Sequence, residues 1–196
     1  MNNDWVGNSN SVYKTMGASN HSNDEREQND FYATNPKAID ELLKVTTLNK
    51  NLWEPACGLG HLSKRLEELG YTVKSTDLID RGYGIGNVDF LKCNEIFDGD
   101  IITNPPYKYA QQFVEQALKL IKPGHKVFMY LKLSFLEGKS RRKLFDTKQL
   151  RAVYVLSSRM ECLKNGIGTF GSGAVAYAWF EFEKDYDKDP ILKWIN

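Results

Sequence analysis

The sequence is poor in cysteine, has no long apolar run and carries almost no net charge. Its three cysteines, Cys57, Cys93 and Cys162, are widely spaced, which favours free thiols in a reducing cytoplasm over a disulfide framework. The most apolar stretch, VFMYLKLSFL, is interrupted by Lys132 and is too short to cross a bilayer. The N-terminus, MNNDWVGNSN, lacks the basic and apolar regions of a signal peptide. These absences predict a cytoplasmic protein that does not enter a membrane.

Charge and metal-ligand spacing narrow the function classes further. A net charge of +1 means that the field of the whole molecule attracts no class of partner, so an anionic partner requires a local basic patch. Histidines and cysteines do not show the spacing of zinc ligands, and His61, four residues after Cys57, is expected to pack without a metal. No metal site is predicted.

The length and the pattern of residues predict one domain preceded by an arm. A chain of 196 residues is long enough for a single domain with a full hydrophobic core, here expected to span residues 31–196. Residues 1–30 are rich in Asn, Ser and charge, which predicts a partly mobile arm. Because this arm also contains Trp5 and Tyr13, an arm that lies across a groove is an equal alternative.

From residue 31 onward, strand-like and helix-like segments alternate. The predicted strands are NLWEP, YTVKSTD, DIITN, KVFMYLKL, RAVYVLS and AVAYAWFEFE, and the predicted helices are NPKAIDELLKV, GHLSKRLEELG, YAQQFVEQALKLI and GKSRRKLF. Strands that alternate with helices predict a mainly parallel sheet with helices on both faces. The last two strands have no clear helix between them, which predicts an antiparallel end to that sheet.

A glycine-rich turn follows the first of these strands in EPACGLGHLS. Gly58 and Gly60 allow a tight turn and the close approach of a ligand. The turn resembles a dinucleotide fingerprint, but Ser63 stands at the third glycine position, and the carboxylate of Glu54 would repel a pyrophosphate. A carboxylate there suits an ammonium group or a ribose hydroxyl. The turn therefore predicts a ligand with an amino group and no phosphates.

Two further carboxylates are expected near the same edge of the sheet. Asp77 ends the second strand, where a carboxylate typically binds ribose hydroxyls. In the VDF segment, which is expected to follow a third strand, Asp89 is placed to accept from an exocyclic amine and Phe90 to face an adenine ring. Each residue taken singly is also consistent with a loop carboxylate or a core aromatic. Their order along the chain favours a nucleoside pocket.

The motifs EPACGLG, STDLID, VDF and NPPY, in this order, resemble those of the S-adenosylmethionine (SAM) dependent amino-methyltransferases. FYATNP, at residues 31–36, resembles the SAM-contacting segment of the gamma-ordered DNA adenine methyltransferases, and the chain is similar to small phage and mobile-element proteins of that group. The resemblance implies a Rossmann-like methyltransferase fold with a mainly parallel seven-stranded sheet. The residues that it assigns to SAM are Tyr32, Thr34, Glu54, Ala56, Gly58, Gly60, Asp77, Asp89, Phe90 and Asn104.

The NPPY segment has the features required to activate an amine. The lone pair of an exocyclic amine is delocalised into the base, and two acceptors that grip its N–H bonds would help to make the nitrogen tetrahedral. Asn104 supplies a side-chain carbonyl, and Pro105 supplies a backbone carbonyl whose direction is fixed by the rigid pair that it forms with Pro106. The ring of Tyr107 offers a face on which a planar base can stack. These four residues are the candidate catalytic group.

Two further segments bear on the acceptor. The stretch after the predicted strand KVFMYLKL is dense in cations and suits backbone phosphates, with a solvated helix face as an equal alternative. The loop NGIGTFGSG carries one aromatic residue; in the related enzymes a loop hereabouts packs the extruded base, and a surface hairpin is the alternative. The candidate substrate-binding residues are Tyr107, Arg141, Arg142, Lys143 and Phe170.

The preferred hypothesis is methyl transfer from SAM to the N6 amine of adenine in DNA, with the base extruded from the duplex. Since NPPY requires only a planar nitrogen, an RNA adenine or guanine amino-methyltransferase and a protein-glutamine N5-methyltransferase stay open. A catalytically inactive SAM-binding regulatory subunit is a third hypothesis, against which the intact NPPY argues. The chain lacks room for a large target-recognition domain, so a short or relaxed sequence preference is expected.

Overall fold

The computed structural model describes residues 32–160, 162–164 and 175–196. The strands are β1 (Tyr32–Ala33), β2 (Asn51–Glu54), β3 (Thr72–Ser75), β4 (Asp100–Thr103), β5 (Lys126–Lys132), β6 (Leu150–Leu156), β7 (Leu163–Lys164), β8 (Tyr177–Glu183) and β9 (Ile191–Ile195). The α-helices are α1 (Lys37–Leu43), α2 (His61–Glu68), α3 (Ala110–Leu120) and α4 (Arg142–Asp146). Single 3₁₀ turns lie at Phe90–Lys92, Tyr107–Tyr109, Leu133–Leu136 and Lys139–Arg141.

In the described ranges, seven strands form one sheet in the order β3-β2-β4-β5-β8-β6-β9. Strand β8 runs antiparallel to β5 and to β6, and the other paired strands of this sheet are parallel. The mainly parallel sheet with an antiparallel region near one end is therefore confirmed. Strand β9, which the sequence did not predict, pairs with the outer side of β6 and places the antiparallel strand inside the sheet.

Helices cover both faces of the sheet, as predicted. Alternate residues of β5 enter opposite faces, because successive side chains of a strand point to opposite sides. Val127 and Met129 pack with the buried side of α3, whereas Phe128 and Tyr130 pack with buried residues of α1 and α2. The long apolar run of β5 is explained by this burial on both faces.

The strand expected ahead of the VDF segment does not form in the described chain. Between β3 and β4 the backbone turns back on itself, and Thr76 makes an isolated bridge with Ile85. Gly84 and Asn87, with φ of 67° and 58°, take the left-handed conformation, which interrupts an extended strand. The expectation of a strand there is wrong, because the glycine-rich segment DRGYGIGN favours turns.

Strand direction determines which segments meet at the candidate site. Strands β2, β3, β4 and β5 are parallel, so their carboxyl ends share one edge of the sheet, and the start of the antiparallel β8 lies at that edge too. The short strand β1 pairs antiparallel with β7. A backbone carbonyl of β1 contacts the residue that follows β4, so this small ladder also borders the edge.

Candidate active site

The glycine-rich turn after β2 is joined to the end of β3 through Asp77. The backbone N–H of Gly58 donates to Asp77 Oδ2 at 2.8 Å, and the N–H of Ile79 donates to Oδ1 at 2.9 Å. Gly60 has a φ of 79°, and a Cβ there would lie 2.3 Å from the ring of Tyr83, so only glycine fits. The structure thus brings together the glycine turn and the carboxylate that the sequence predicted for one pocket.

Glu54 lies beneath this turn and faces α2. It is 2% exposed, the hydroxyl of Ser63 donates to Oε2, and Ser63 Oγ lies 2.6 Å from Ser75 Oγ. Burial raises the pKa of the Glu54 carboxyl to about 8, opposed in part by the hydrogen bond from Ser63. Burial therefore favours the protonated form of this carboxyl at neutral pH, whereas the sequence suggested an ionised carboxylate. The assignment of Glu54 to SAM stays a prediction.

The other residues predicted near the cofactor divide between the loop and the core. Asp89 Oδ1 accepts from the N–H of Leu91 at 3.1 Å, so it begins the 3₁₀ turn, and Oδ2 pairs with Lys92 at 2.9 Å. Phe90 is 2% exposed, with its ring 5.2 Å from that of Trp53. The packing of Phe90 is that of a core aromatic, which was the alternative to an adenine contact. Ala56 is partly buried against the same core cluster.

Asn104, directly after β4, has the most informative polar contacts at this edge. Its Nδ2 donates to the backbone carbonyl of Tyr32 at 3.1 Å and to Thr34 Oγ1 at 2.8 Å. Its Oδ1 is buried, and no described residue gives that oxygen a hydrogen bond. Buried polar atoms are nearly always paired, whereas this oxygen is an acceptor to which the described residues supply no donor.

Aromatic rings surround the NPPY segment. The ring of Tyr107 lies 5.4 Å from that of Tyr32 and 6.1 Å from that of Tyr177, and its hydroxyl donates to Tyr177 at 3.1 Å. The ammonium of Lys132 lies 4.6 Å from the centre of the Tyr107 ring, a cation–π contact. Burial raises the pKa of the Tyr107 hydroxyl, so the phenol stays protonated. The rings of Tyr32, Tyr107 and Tyr177 together form a partly buried aromatic wall beside Asn104.

The sequence did not indicate several residues that lie around Asn104 and Tyr107. Lys132 and Tyr177 are directly opposite each other in the β5–β8 pair, and Cys162 Sγ lies 4.0 Å from Asn104 Nδ2. No local motif marks these positions, because they meet only through strand pairing. The one available signal was that the apolar run of β5 ends at a lysine.

The predicted phosphate contacts are partly occupied within the protein. The guanidinium of Arg141 donates to the backbone carbonyl of Glu137 at 2.9 and 2.5 Å, and Arg142 pairs with Asp146 at 2.7 Å. Lys143 is exposed. The assignment of these three residues to the substrate stays a prediction. Phe170, its loop and the arm of residues 1–30 lie outside the described residues.

The described residues provide neither a cluster of metal ligands nor a membrane-spanning helix. They contain no group of three or more His, Cys, Asp and Glu side chains that could hold a metal ion. None of the helices in the described ranges has the length and apolar content needed to cross a bilayer.

No family model matches the chain, and no curated protein matches it. Solved structures do. A candidate class I SAM-dependent methyltransferase from Listeria monocytogenes is 16% identical and covers 94% of this chain and 70% of its own, with a TM-score of 0.57. This chain has the Rossmann-like fold of the class I SAM-dependent methyltransferases.

Solved structures similar to this chain also include proteins that are described as something other than a methyltransferase. A modification subunit of a candidate type I restriction enzyme from Vibrio vulnificus YJ016 is 13% identical over 92% of this chain and 49% of its own, with a TM-score of 0.57. A candidate hemolysin from Lactococcus lactis is 13% identical over 79% of this chain and 88% of its own, with a TM-score of 0.54. The structural similarity establishes the methyltransferase-like fold. At identities this low it says nothing of the acceptor, which must be inferred from the site.

Proposed function

We propose that this protein transfers a methyl group from SAM to the exocyclic N6 amine of adenine in DNA. The observation that carries the proposal is Asn104 Oδ1, a buried acceptor without a described donor, directly ahead of Pro105 at the carboxyl end of β4. An unsatisfied buried acceptor costs about 1–3 kcal/mol, and an N–H of the substrate amine would offset that cost. The site is thus complementary to an amine.

The turn after β2 fits the cofactor. When bound, SAM would supply a sulfonium-activated methyl group, whose transfer to the amine forms an N–C bond, breaks the methyl–sulfur bond and releases a neutral thioether and one amine proton. The carboxylate of Asp77 stands at a strand end, where it suits ribose hydroxyls, and the backbone at Gly58 and Gly60 is left-handed and permits a close approach. Glu54 is buried below the turn, whereas the Asp77 carboxyl contacts the backbone of the glycine turn directly.

The NPPY residues orient the acceptor. Asn104 Oδ1 accepts one N–H of the amine and the Pro105 carbonyl accepts the other, which directs the nitrogen lone pair toward the methyl group. The contribution of the protein is mainly orientation and electrostatic stabilisation.

The aromatic wall is suited to an extruded base. Unstacking a base costs a few kcal/mol, and stacking on an aromatic ring returns about 1–3 kcal/mol. The ammonium of Lys132 lies over the ring of Tyr107, so a base that stacks on that face displaces it or shares the ring with it. The modification subunit from Vibrio vulnificus, which has the same fold, is compatible with a DNA acceptor.

The experiment is expression in a host that lacks DNA methylation, followed by mapping of modified bases in both DNA and RNA. N6-methyladenine in DNA is expected, with a short or relaxed sequence preference. Modification confined to RNA or to a protein glutamine would show a different acceptor. SAM binding without methylation of any polymer would instead identify a regulatory subunit.

Asp77→Ala is expected to weaken SAM binding roughly tenfold or more, because loss of a hydrogen bond to a charged group costs about 1.5–3 kcal/mol. Titration calorimetry with SAM and with NAD provides the measurement. Asp80→Ala is the matched control, since Asp80 is exposed and its Oδ1 accepts only from Gly82 among the described contacts. Tight binding of NAD by the wild type without binding of SAM would overturn the cofactor assignment.

Replacing both Lys139 and Lys143 by alanine is expected to weaken binding to all DNA sequences alike. Both lysines are exposed on the segment that follows the carboxyl end of β5. Each lost phosphate contact lowers the log–log salt slope by about 0.9. A filter-binding salt titration measures the slope, with Lys119→Ala, near the far end of α3, as the control. An unchanged slope would show that this segment does not contact the phosphates.

A further inference from the structure

The side-chain amide of Asn104 has two orientations of similar shape, which exchange the acceptor Oδ1 with the donor Nδ2. Chemistry at the amine requires the oxygen to face the substrate. In the structure Nδ2 lies 3.1 Å from the backbone carbonyl of Tyr32, which can only accept, so the opposite orientation would set two acceptors against each other. The carbonyl of Tyr32 therefore selects the orientation, but it satisfies only one of the two N–H bonds.

The second N–H of the amide is satisfied by Thr34. Its Oγ1 accepts from Asn104 Nδ2 at 2.8 Å, and Thr34 is 3% exposed, so water has little access to replace it. With both N–H bonds engaged, rotation of the amide is restricted and Oδ1 keeps one direction. Without the Thr34 hydroxyl, the remaining contacts of Nδ2 are the Tyr32 carbonyl and the weak acceptor Cys162 Sγ at 4.0 Å, so the amide is held less firmly.

The location of Thr34 in the chain supports this role. It directly follows β1, which is paired with β7, and its neighbour Ala33 is 2% exposed, so the preceding backbone is held by strand pairing and burial. This segment lies 70 residues before Asn104 in sequence and reaches it only through the fold. The resemblance assigned Thr34 to SAM, whereas its observed hydrogen bond is to the catalytic amide.

We propose that Thr34 is a positioning residue that, together with the carbonyl of Tyr32, holds the Asn104 amide with Oδ1 directed at the acceptor amine. The inference rests on the proposed amino-methyltransferase activity for its consequence in catalysis. The hydrogen bond itself can be tested without any substrate.

The test compares Thr34→Val, which keeps the shape and loses the hydroxyl, with Thr34→Ser, which restores it. Thr34→Val is expected to lower kcat about tenfold, the equivalent of about 1.4 kcal/mol, while the Kd for SAM and the KM for DNA change less than about twofold. Thr34→Ser is expected to recover most of kcat. Thr46→Val is the control for loss of a threonine hydroxyl elsewhere, since Thr46 bonds to Glu181. A rise in the Kd for SAM with unchanged kcat would overturn the proposal and return Thr34 to the cofactor.

A spectroscopic measurement separates this inference from the proposed function. The side-chain amide signal of Asn104, assigned by its loss in Asn104→Ala, is recorded in ¹⁵N-labelled protein without substrate. One of its two proton resonances is expected to move upfield in Thr34→Val and to return in Thr34→Ser. An unchanged signal would overturn the positioning role whatever the activity. The expected change in a protein that methylates no polymer would instead overturn the proposed function alone. If Thr34→Val does not fold, Thr34→Ala takes its place in both measurements.

Discussion

Asn104→Ala is expected to lower kcat by about 10²–10³ or more, the usual effect of removing a preorganised group at a reacting centre. The substitution removes Oδ1, the buried acceptor for the substrate amine, and leaves the glycine turn and Asp77 intact. The Kd for SAM is therefore expected to stay close to that of the wild type. Single-turnover methylation of adenine-containing DNA measures the chemical step, and calorimetry measures SAM binding.

The control for Asn104→Ala is Asn94→Ala, an exposed asparagine in the loop before β4. Turnover by Asn94→Ala should match that of the wild type. Near-normal turnover by Asn104→Ala would contradict the role of the amide oxygen. A large loss of SAM affinity in Asn104→Ala would place this side chain at the cofactor instead.

Glu54→Gln is expected to make the protein more stable, and the gain is expected to grow with pH. Below about pH 4.5 the Glu54 carboxyl is protonated in both the folded and the unfolded chain and contributes no pH dependence. Between pH 4.5 and about 8 the unfolded chain ionises while the folded protein keeps the proton, so the free energy of unfolding falls as the pH rises. Above about pH 8 the loss is complete. Glutamine is neutral at every pH, so the variant does not lose this part of the free energy of unfolding.

Urea unfolding of the wild type and of Glu54→Gln at pH 5, 6, 7 and 8 gives the test. The difference in unfolding free energy is expected to widen across this range by a few kcal/mol, since one pKa unit is worth about 1.4 kcal/mol. Glu115→Gln, on the exposed side of α3, is the control and should show no such widening. A difference that stays constant with pH would show that Glu54 is ionised in the folded protein.

Much of the fold followed from local patterns in the sequence. The periodicity of the amphipathic helices, the glycine turn and the abrupt end of a strand at NPPY are each properties of neighbouring residues, and the structure has α1, α2, α3, β2, β4 and β5 where the patterns indicated. A helical period or a proline pair restricts the backbone whatever the rest of the chain does. The glycine turn and Asp77 could also be assigned to one edge, because each follows a predicted strand and parallel strands end at the same edge of a sheet.

Residues that meet across the sheet or across the chain could not be obtained in this way. Lys132 and Tyr177 become neighbours through the antiparallel pairing of β5 and β8, and Thr34 reaches Asn104 through the fold of the β1 segment. Burial is likewise a tertiary property. The sequence indicated a carboxyl group at Glu54 and an aromatic ring at Phe90, but not that both side chains are buried.

Burial of Glu54 beneath α2, the helix that carries Ser63, raises the pKa of its carboxyl, and packing against the ring of Trp53 places Phe90 in the core. The position of the edge strand β9 is likewise a tertiary property, because Ile191, Leu192 and Trp194 are 48%, 49% and 68% exposed. A strand that buries so little shows no clear alternation of apolar and polar residues, so only its pairing with β6 identifies it. The sequence therefore determines which chemical groups are present at the site. The tertiary packing determines their charge states and orientations, because both depend on the groups that surround each side chain.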